Sequence, residues 1–355
     1  MFKNFNFLIL LSILIISILG LTIVRSVAPE LFISQLVFMF LCFLVFLIIS
    51  FTDYRIFKNY FWLFYALILL LLVLPFVFGQ VTRGAVRWIQ IGQFTFQPSE
   101  IVKPLLVLFL AGFYTRYKIQ DTRYKILSFA LFLPVILLIF KQPDLGSSLV
   151  VLAIWVGILF AVGLNFKLFA VCCLLFAVCS PLVWRFLKDY QRARVLSFLN
   201  PYSDPLGTGY NVIQAVISVG SGKFFGRGLG RGTQSHLYFL PERHSDFIFA
   251  SLAEELGFLG ASLLLVFYFL LLFQILKIAK NAADDFGFLI VTGVFSHLSF
   301  QILVNIGMNL GLLPITGITL PLVSTGGSSL LATMVSLGLV ENVGRSRRLE
   351  EVRIR

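Results

Sequence analysis

Charge is scarce in this 355-residue chain: Asp, Glu, Lys and Arg together make up 12% of it, about half the share usual in soluble globular domains. Cysteine is scarce too. The four present, Cys42, Cys172, Cys173 and Cys179, all lie in apolar runs, which excludes a disulfide framework or a zinc site and leaves them as small core or lipid-facing residues. Only three histidines occur, and His297 has no second histidine or carboxylate at metal-ligand spacing, so it reads as a buried hydrogen-bonding residue. The N-terminal apolar run lacks a small-residue cleavage site and is followed by many more spans, so it is read as a retained first helix.

What the chain has instead is apolar surface. It is 59% hydrophobic, with mean hydropathy +0.97 and forty Phe residues, the composition of a polytopic membrane protein. A hydrocarbon core of about 30 Å takes roughly 20 apolar residues per helix. Ten such stretches are expected, near 7–24, 31–50, 60–78, 100–114, 126–140, 146–164, 167–184, 247–276, 286–306 and 318–340. The fourth is short and could be fed by a partly inserted segment from the preceding loop. The expected fold is an all-α membrane domain spanning 1–355, with one long external loop, 185–245, between the seventh and eighth helices and a basic cytoplasmic tail, 344–355. Fifteen basic residues flank the short loops on the face that carries the N-terminus, against five on the other, which puts both termini in the cytoplasm. The net charge of +12 is then topogenic and lipid-facing, and nucleic acid is not implied.

Function is expected in the long loop and its neighbours. Residues 210–217 suit a short amphipathic helix lying at the interface. The run "GSGKFFGRGLGRG" (220–232) resembles a phosphate cradle only loosely, since no strand precedes it; tight turns explain it as well, though Lys223, Arg227 and Arg231 make it electropositive. Next comes "PERHSDF" (241–247). If Pro241 opens a helix, Glu242 and Asp246 share one face at the external boundary. The apolar residues after Asp246 disfavour its charged form while Arg243 and His244 favour it, and a plain helix cap is the alternative role for this acid.

Other polar residues enter apolar spans, where they are costly. Arg87, Glu100 and Lys103 are expected on or just below the external face, with Lys141 and Asp144 at the next external turn, Asp144 as the cap of the sixth helix. Glu254 and Glu255 read as hydrogen-bonded or ion-paired structural groups. "LLPITGITLPLVSTGGSS" (312–329) is a Gly- and Pro-broken run at membrane depth, tolerable only where protein or a water-filled cavity surrounds it.

Taken together, "RWIQIGQFTFQPSEIVK", "KQPDLGSS", "DPLGTGYNVIQ", "GSGKFFGRGLGRGTQSHLYFLPERHSDFIFASLAEELGFLG" and "LLPITGITLPLVSTGGSSL" resemble the SEDS family (shape, elongation, division and sporulation), in order, from about residue 83 to 343. "GTQSHLYFLPERHSD" and "PITG" resemble its elongation-type members; division-type members usually carry a lysine at the position of Ile315 or Thr316. Three departures stand out: Ser245 for the usual Thr, Ala215 for Ser, and Thr325 for Tyr.

The resemblance implies a ten-helix glycosyltransferase in the bacterial cytoplasmic membrane that polymerises lipid II into β-1,4 glycan strands on the external face. It assigns the essential acid to Asp246, as general base on the acceptor hydroxyl. Glu242 would position that base or hold the sugars, and Arg87 and Lys103, helped by Arg194, Lys223 or Arg231, would stabilise the pyrophosphate. A divalent cation, magnesium or manganese, could join the pyrophosphate, though no ligand set demands one. The implied partner is a class B penicillin-binding protein of the elongation complex. Two rival readings are a lipid II flippase, which lacks support from an inverted repeat, and a non-catalytic scaffold, which leaves the acid cluster without a role.

Overall fold

The computed structural model describes residues 5–82, 85–91, 94–117, 122–164, 185, 192, 196–207 and 209–354. Apolar runs punctuated by caps and prolines set the first helices. α1 (Phe7–Val27) is capped by Asn6, whose side chain accepts the Leu8 amide at 3.2 Å. It gives way to α2 (Pro29–Phe51), which opens on proline, where the missing amide hydrogen costs nothing. A 3₁₀ turn, Tyr54–Tyr60, leads into α3 (Phe61–Phe78). After α3 the chain builds a small antiparallel sheet, β1 (Gln80–Thr82), β2 (Ala85–Ile91) and β3 (Phe94–Phe96), in order 1-2-3, in the segment that leads into the fourth expected span.

α4 (Pro98–Arg116), α5 (Thr122–Lys141) and α6 (Leu145–Ala161) follow. α4 is no marginal span: it packs against α3 and α6 and against two helices from the far end of the chain, and is buried along nearly its whole length. Its hydropathy is modest because it faces protein, and Ser, Gly, Glu and Lys can be accommodated there. The seventh expected span, 167–184, lies outside the described residues. Beyond it come α7 (Tyr210–Ser221), amphipathic as expected, the single turn α8 (Thr233–His236), and three long helices, α9 (Ile248–Lys280), α10 (Asp285–Asn309) and α11 (Gly327–Ile354). The architecture is that of an all-α polytopic membrane protein: among the described residues α1–α5, α9 and α10 are long and apolar enough to cross a membrane, and α6 is a shorter apolar helix.

Two interruptions depart from the expected spans. The tenth helix does not begin at 318: residues 314–326 are irregular, and α11 starts at Gly327. Hydropathy alone misplaced that boundary, because Leu320, Leu322 and Val323 are as apolar as a helix would be while their backbone is not helical. The run is enclosed by protein. Gly20 of α1 lies so close that a Cβ there would sit 2.8 Å from Val323 Cα. Gln35 of α2 donates to the Ser324 carbonyl (3.3 Å), Tyr268 of α9 to Pro321 (2.6 Å) and Asn305 of α10 to Ile318 (2.7 Å). Each bond satisfies a carbonyl that lipid could not.

The second interruption is inside α9, at Gly257 (φ 66°, ψ −163°). Breaking the helix frees the carbonyls of Glu254 and Glu255, and these accept from Arg227 N (2.9 Å) and Gly228 N (3.0 Å). The freed amides of Phe258 and Leu259 donate in turn to the carbonyls of Lys223 (2.9 Å) and Phe224 (3.2 Å). The glycine run is therefore a backbone clasp on a broken helix, not a phosphate cradle. Its glycines are required by contact: a Cβ on Gly257 would collide with Gly226 N, and one on Gly226 with the Glu255 carbonyl.

Gly257→Ala combines that clash with a left-handed backbone, a strain of about 1–3 kcal/mol before any clash is counted. Thermal unfolding of the detergent-solubilised variant is expected several degrees below that of the parent; an unchanged midpoint would show that the clasp does not bear on stability.

Candidate active site

The segment 241–247 folds as a run of turns, and α9 begins only at Ile248. Pro241 therefore does not open a helix, and the four-residue spacing does not set Glu242 and Asp246 on one helical face. Glu242 adopts φ 53° instead, so that the amides of Ser245 (3.1 Å) and Phe247 (3.2 Å) both return to its carbonyl. The Glu242 carboxylate accepts from Ser245 Oγ at 3.0 Å, which keeps the two acids in one tight reversal. Nor does Asp246 cap α9: the capping position is Phe247, and no side chain closes it.

The next carbonyls are held one after another. His244 O accepts from Thr325 N (3.0 Å) and Thr325 Oγ1 (2.9 Å); Ser245 O accepts from Ser324 Oγ (2.7 Å); Asp246 O accepts from Asn305 Nδ2 (3.0 Å) and Asn309 Nδ2 (3.1 Å). Asn309 also accepts the Ala250 amide at 3.1 Å, satisfying an orphan donor in the first turn of α9. Arg243 pins the other side. Its Nε donates to the Val27 carbonyl at the end of α1 (3.0 Å), where a cation is favoured, and its guanidinium lies 4.0 Å from the Tyr238 ring centroid. Thr325, one of the departures from the family pattern, thus helps to fix the acidic turn through two bonds to a single carbonyl.

The Asp246 side chain is half-buried and faces the irregular run, where a Cβ on Gly317 (φ 72°) would lie 3.6 Å from its Oδ2. Phe247, Leu240, Ala215 and Ala250 form a small apolar cluster beside it, with Ile315 packed against them. The same short stretch meets the second acidic centre. A Cβ on Gly146, at the start of α6, would approach Thr316 O at 2.7 Å, so α6 brings Asp144 up to the residue next to Gly317. Asp144 caps α6 as expected, accepting Ser147 N at 3.1 Å, and also accepts from Gln97 Nε2 (2.8 Å) and Ser99 Oγ (3.1 Å). Arg87 on β2 reaches the same carboxylate at 3.8 Å with its side chain 25% exposed, enough to meet a ligand.

The other candidates fall elsewhere. Lys103 lies buried in the second turn of α4, its Nζ 2.6 Å from Glu100 Oε1. Lys223 and Arg231 are exposed residues of the glycine segment that clasps Gly257. Arg194 lies outside the described residues. Glu254 and Glu255 are structural, as expected: Glu254 accepts Gln234 N (2.8 Å), Ser235 N (3.1 Å) and Ser235 Oγ (2.6 Å) at the start of α8, and Glu255 accepts Ser26 Oγ (2.7 Å) and meets His236 Nε2 at 2.8 Å. Among the described residues, no three His, Cys, Asp or Glu side chains converge as a metal would need.

The family model described as a cell cycle protein and named for FtsW, RodA and SpoVE matches residues 2–349. The chain belongs to the FtsW/RodA/SpoVE family. It is 44% identical to the peptidoglycan glycosyltransferase MrdB of Escherichia coli over 290 residues, 80% of this chain and 78% of that one. Among solved structures, a chain of a peptidoglycan synthase complex, described in terms of coordinated polymerisation and crosslinking, is similar at TM-score 0.84 and 37% identity, over 97% of this chain and 98% of that one. The rod shape determining protein RodA of Thermus thermophilus is similar at TM-score 0.73 and 31% identity, over 97% of each. In this FtsW/RodA/SpoVE chain the motif reading singled out Asp246, Glu242 and Arg87, took Asp144 as a helix cap, and passed over Asn305 and Asn309. Their signal was available: two amides one helical turn apart in an otherwise apolar span, a pattern that is expensive without a buried partner.

Asn309→Ala removes an acceptor from the buried Ala250 amide and a donor from the Asp246 carbonyl, a cost of about 1–3 kcal/mol. Hydrogen exchange at residues 247–250 is expected to accelerate, and exchange at parental rates would mean that the asparagines do not hold the turn.

Proposed function

We propose that this chain is a peptidoglycan glycosyltransferase that polymerises lipid II, with Asp246 as general base. The observation that carries the reading is a half-buried carboxylate on a turn whose neighbouring carbonyls are fastened to α10 and to the irregular run, in a chain 44% identical to a peptidoglycan glycosyltransferase. A base so placed is preorganised: the turn need not rearrange when a hydroxyl arrives. In the proposed step the 4-hydroxyl of the acceptor GlcNAc attacks the anomeric carbon of the donor, its proton passes to Asp246, and the bond to the lipid pyrophosphate breaks with inversion, converting an α-linked donor into a β-1,4 linkage. The leaving pyrophosphate is already stable as an anion, so no second carboxylic acid is needed of the kind a glycosidase pair employs.

Glu242, bonded to Ser245 in the same turn, orients the segment that carries the base and is near enough to hold sugar hydroxyls. Arg87 is the best-suited pyrophosphate ligand: its guanidinium is partly open, its Nε is buried without a hydrogen-bond partner among the described residues, and at 3.8 Å its contact with Asp144 is long enough to yield to a phosphate. Lys103 is neutralised by Glu100 and acts on the anion only where that pair opens. Lys223, Arg231 and Arg194 would draw the charged head group toward the external face. A divalent cation would be held by the pyrophosphate itself together with the carboxylates of the turn.

The basic loops support a cytoplasmic-membrane protein with both termini inside and this turn on the external face, where the donor's tail stays in lipid while its sugar reacts in water. The similarity to a chain of a peptidoglycan synthase complex supports a class B penicillin-binding protein, as part of the elongation complex, as partner.

Asp246→Asn keeps the size of the side chain and removes the base, so polymer on a lipid II gel assay is expected to fall at least about 100-fold, with the melting temperature kept. Wild-type rates from this variant would refute the assignment. If neither protein polymerised lipid II with or without the partner, yet lipid II crossed a vesicle bilayer, the activity would be transport.

A further inference from the structure

At the membrane face opposite the acidic turn, the structure holds a second pocket that the proposed reaction does not use. α1 fixes the two faces: Arg243 binds its Val27 end, whereas Asn6, at its other end, donates to Glu341 of α11 at 2.7 Å. The Tyr54–Tyr60 turn lies at this second face, its Tyr54 amide donating to Asn342 and its hydroxyl to Asp284. There a cavity of about 490 Å³ is lined by Lys58, Asn59, Phe61, Trp62, Thr115, Arg116 and Tyr117.

The cavity is a product of close packing between two elements. Gly112 of α4 admits the 3₁₀ turn: a Cβ there would sit 2.6 Å from Phe61 Cβ and 3.5 Å from the Lys58 carbonyl. Phe61 then meets Tyr117 edge-on, with centroids 6.4 Å apart, and Trp62 at 5.3 Å, which gives the pocket an aromatic floor. Lys58 and Arg116 are exposed at its rim, and among the described residues neither forms an ion pair with a carboxylate. The C-terminal carbonyls of α4 contribute about half a negative charge, and two full positive charges outweigh it. Thr115 has its hydroxyl hydrogen committed to Ala111 O, which leaves the nitrogens of Lys58, Asn59, Arg116 and Trp62 and the Tyr117 hydroxyl as the donors lining the pocket.

Two cations at the rim of an aromatic-lined pocket, at the interface of the leaflet where anionic lipids concentrate, define a site for a phosphodiester. We propose that this pocket binds the head-group phosphate of an anionic glycerophospholipid from the cytoplasmic leaflet, with Lys58 and Arg116 on the phosphate and Trp62 and Tyr117 against the glycerol and acyl shoulder. The site is independent of the glycosyltransferase reading, since it shares no residue with the acidic turn.

The test is native mass spectrometry of the full-length protein titrated with phosphatidylglycerol, with phosphatidylethanolamine, and with glycerol 3-phosphate as a soluble competitor. Phosphatidylglycerol is expected to bind preferentially, and Lys58→Gln/Arg116→Gln to weaken it roughly thirtyfold through the loss of two cations. Lys58→Arg/Arg116→Lys keeps the charge and is expected to retain binding. Lys277→Gln/Lys280→Gln, at the end of α9 on the same face, is expected to change it less than about twofold, these cations lying outside the pocket. Equal losses from both Gln pairs, or no preference over phosphatidylethanolamine, would overturn the proposal. Displacement by glycerol 3-phosphate at matching concentration would make this a soluble-phosphoester site and overturn the lipid assignment.

Discussion

A peptide group that leaves helical geometry inside an apolar bundle has no water to turn to, and most of this structure answers to that constraint. The chain leaves helical geometry twice among its apolar helices, at 314–326 and at Gly257. In the first case side chains from α2, α9 and α10 supply donors to the exposed carbonyls. In the second, another stretch of backbone supplies both donors and acceptors. The acidic turn lies between these two solutions and is fastened by the same means, its carbonyls held by amides and hydroxyls of neighbouring segments.

That arrangement separates two roles that acids play here. Glu254, Glu255 and Asp144 spend their oxygens on amides and hydroxyls of neighbouring segments, holding loops to helices. For Asp246 it is the backbone that is held, through its carbonyl, while its carboxylate faces the glycine of the irregular run. Fixing the main chain of an acid in this way sets where its carboxylate is presented, which the spacing of Glu242 and Asp246 along the sequence does not encode.

Much of the fold was legible because lipid imposes a simple rule on side chains. α1, α2, α3, α5, α9 and α10 follow the apolar runs closely, and the positions of Pro29, Pro98 and Asp144 mark helix starts by their ordinary chemistry. Hydropathy counts side chains and is blind to the backbone, so it extended the last helix through Leu320 and Val323, although Gly317 and Pro321 signalled the break. It also undervalued α4, whose polar residues face protein. The candidate site was legible in its ionisable residues and not in its geometry: the spacing of Glu242 and Asp246 suggested a shared helical face, while a left-handed residue at 242 made a turn. The depth of Lys103 and the tertiary bonds of Asn305, Asn309 and Thr325 depend on which helices become neighbours, and no local pattern encodes that.

The clasp at Gly257 joins the large loop to α9 through four main-chain hydrogen bonds, with the Phe224 ring stacked on Phe258 beside them. The hydrogen bonds themselves do not read the side chains they span, provided that the contact glycines stay small. Arg227, whose side chain is exposed, can therefore change in size or charge without loosening these bonds. Mutation has room there to adjust how the outer surface greets lipids, sugars or protein partners, while the mechanical connection to the acidic turn is inherited unchanged.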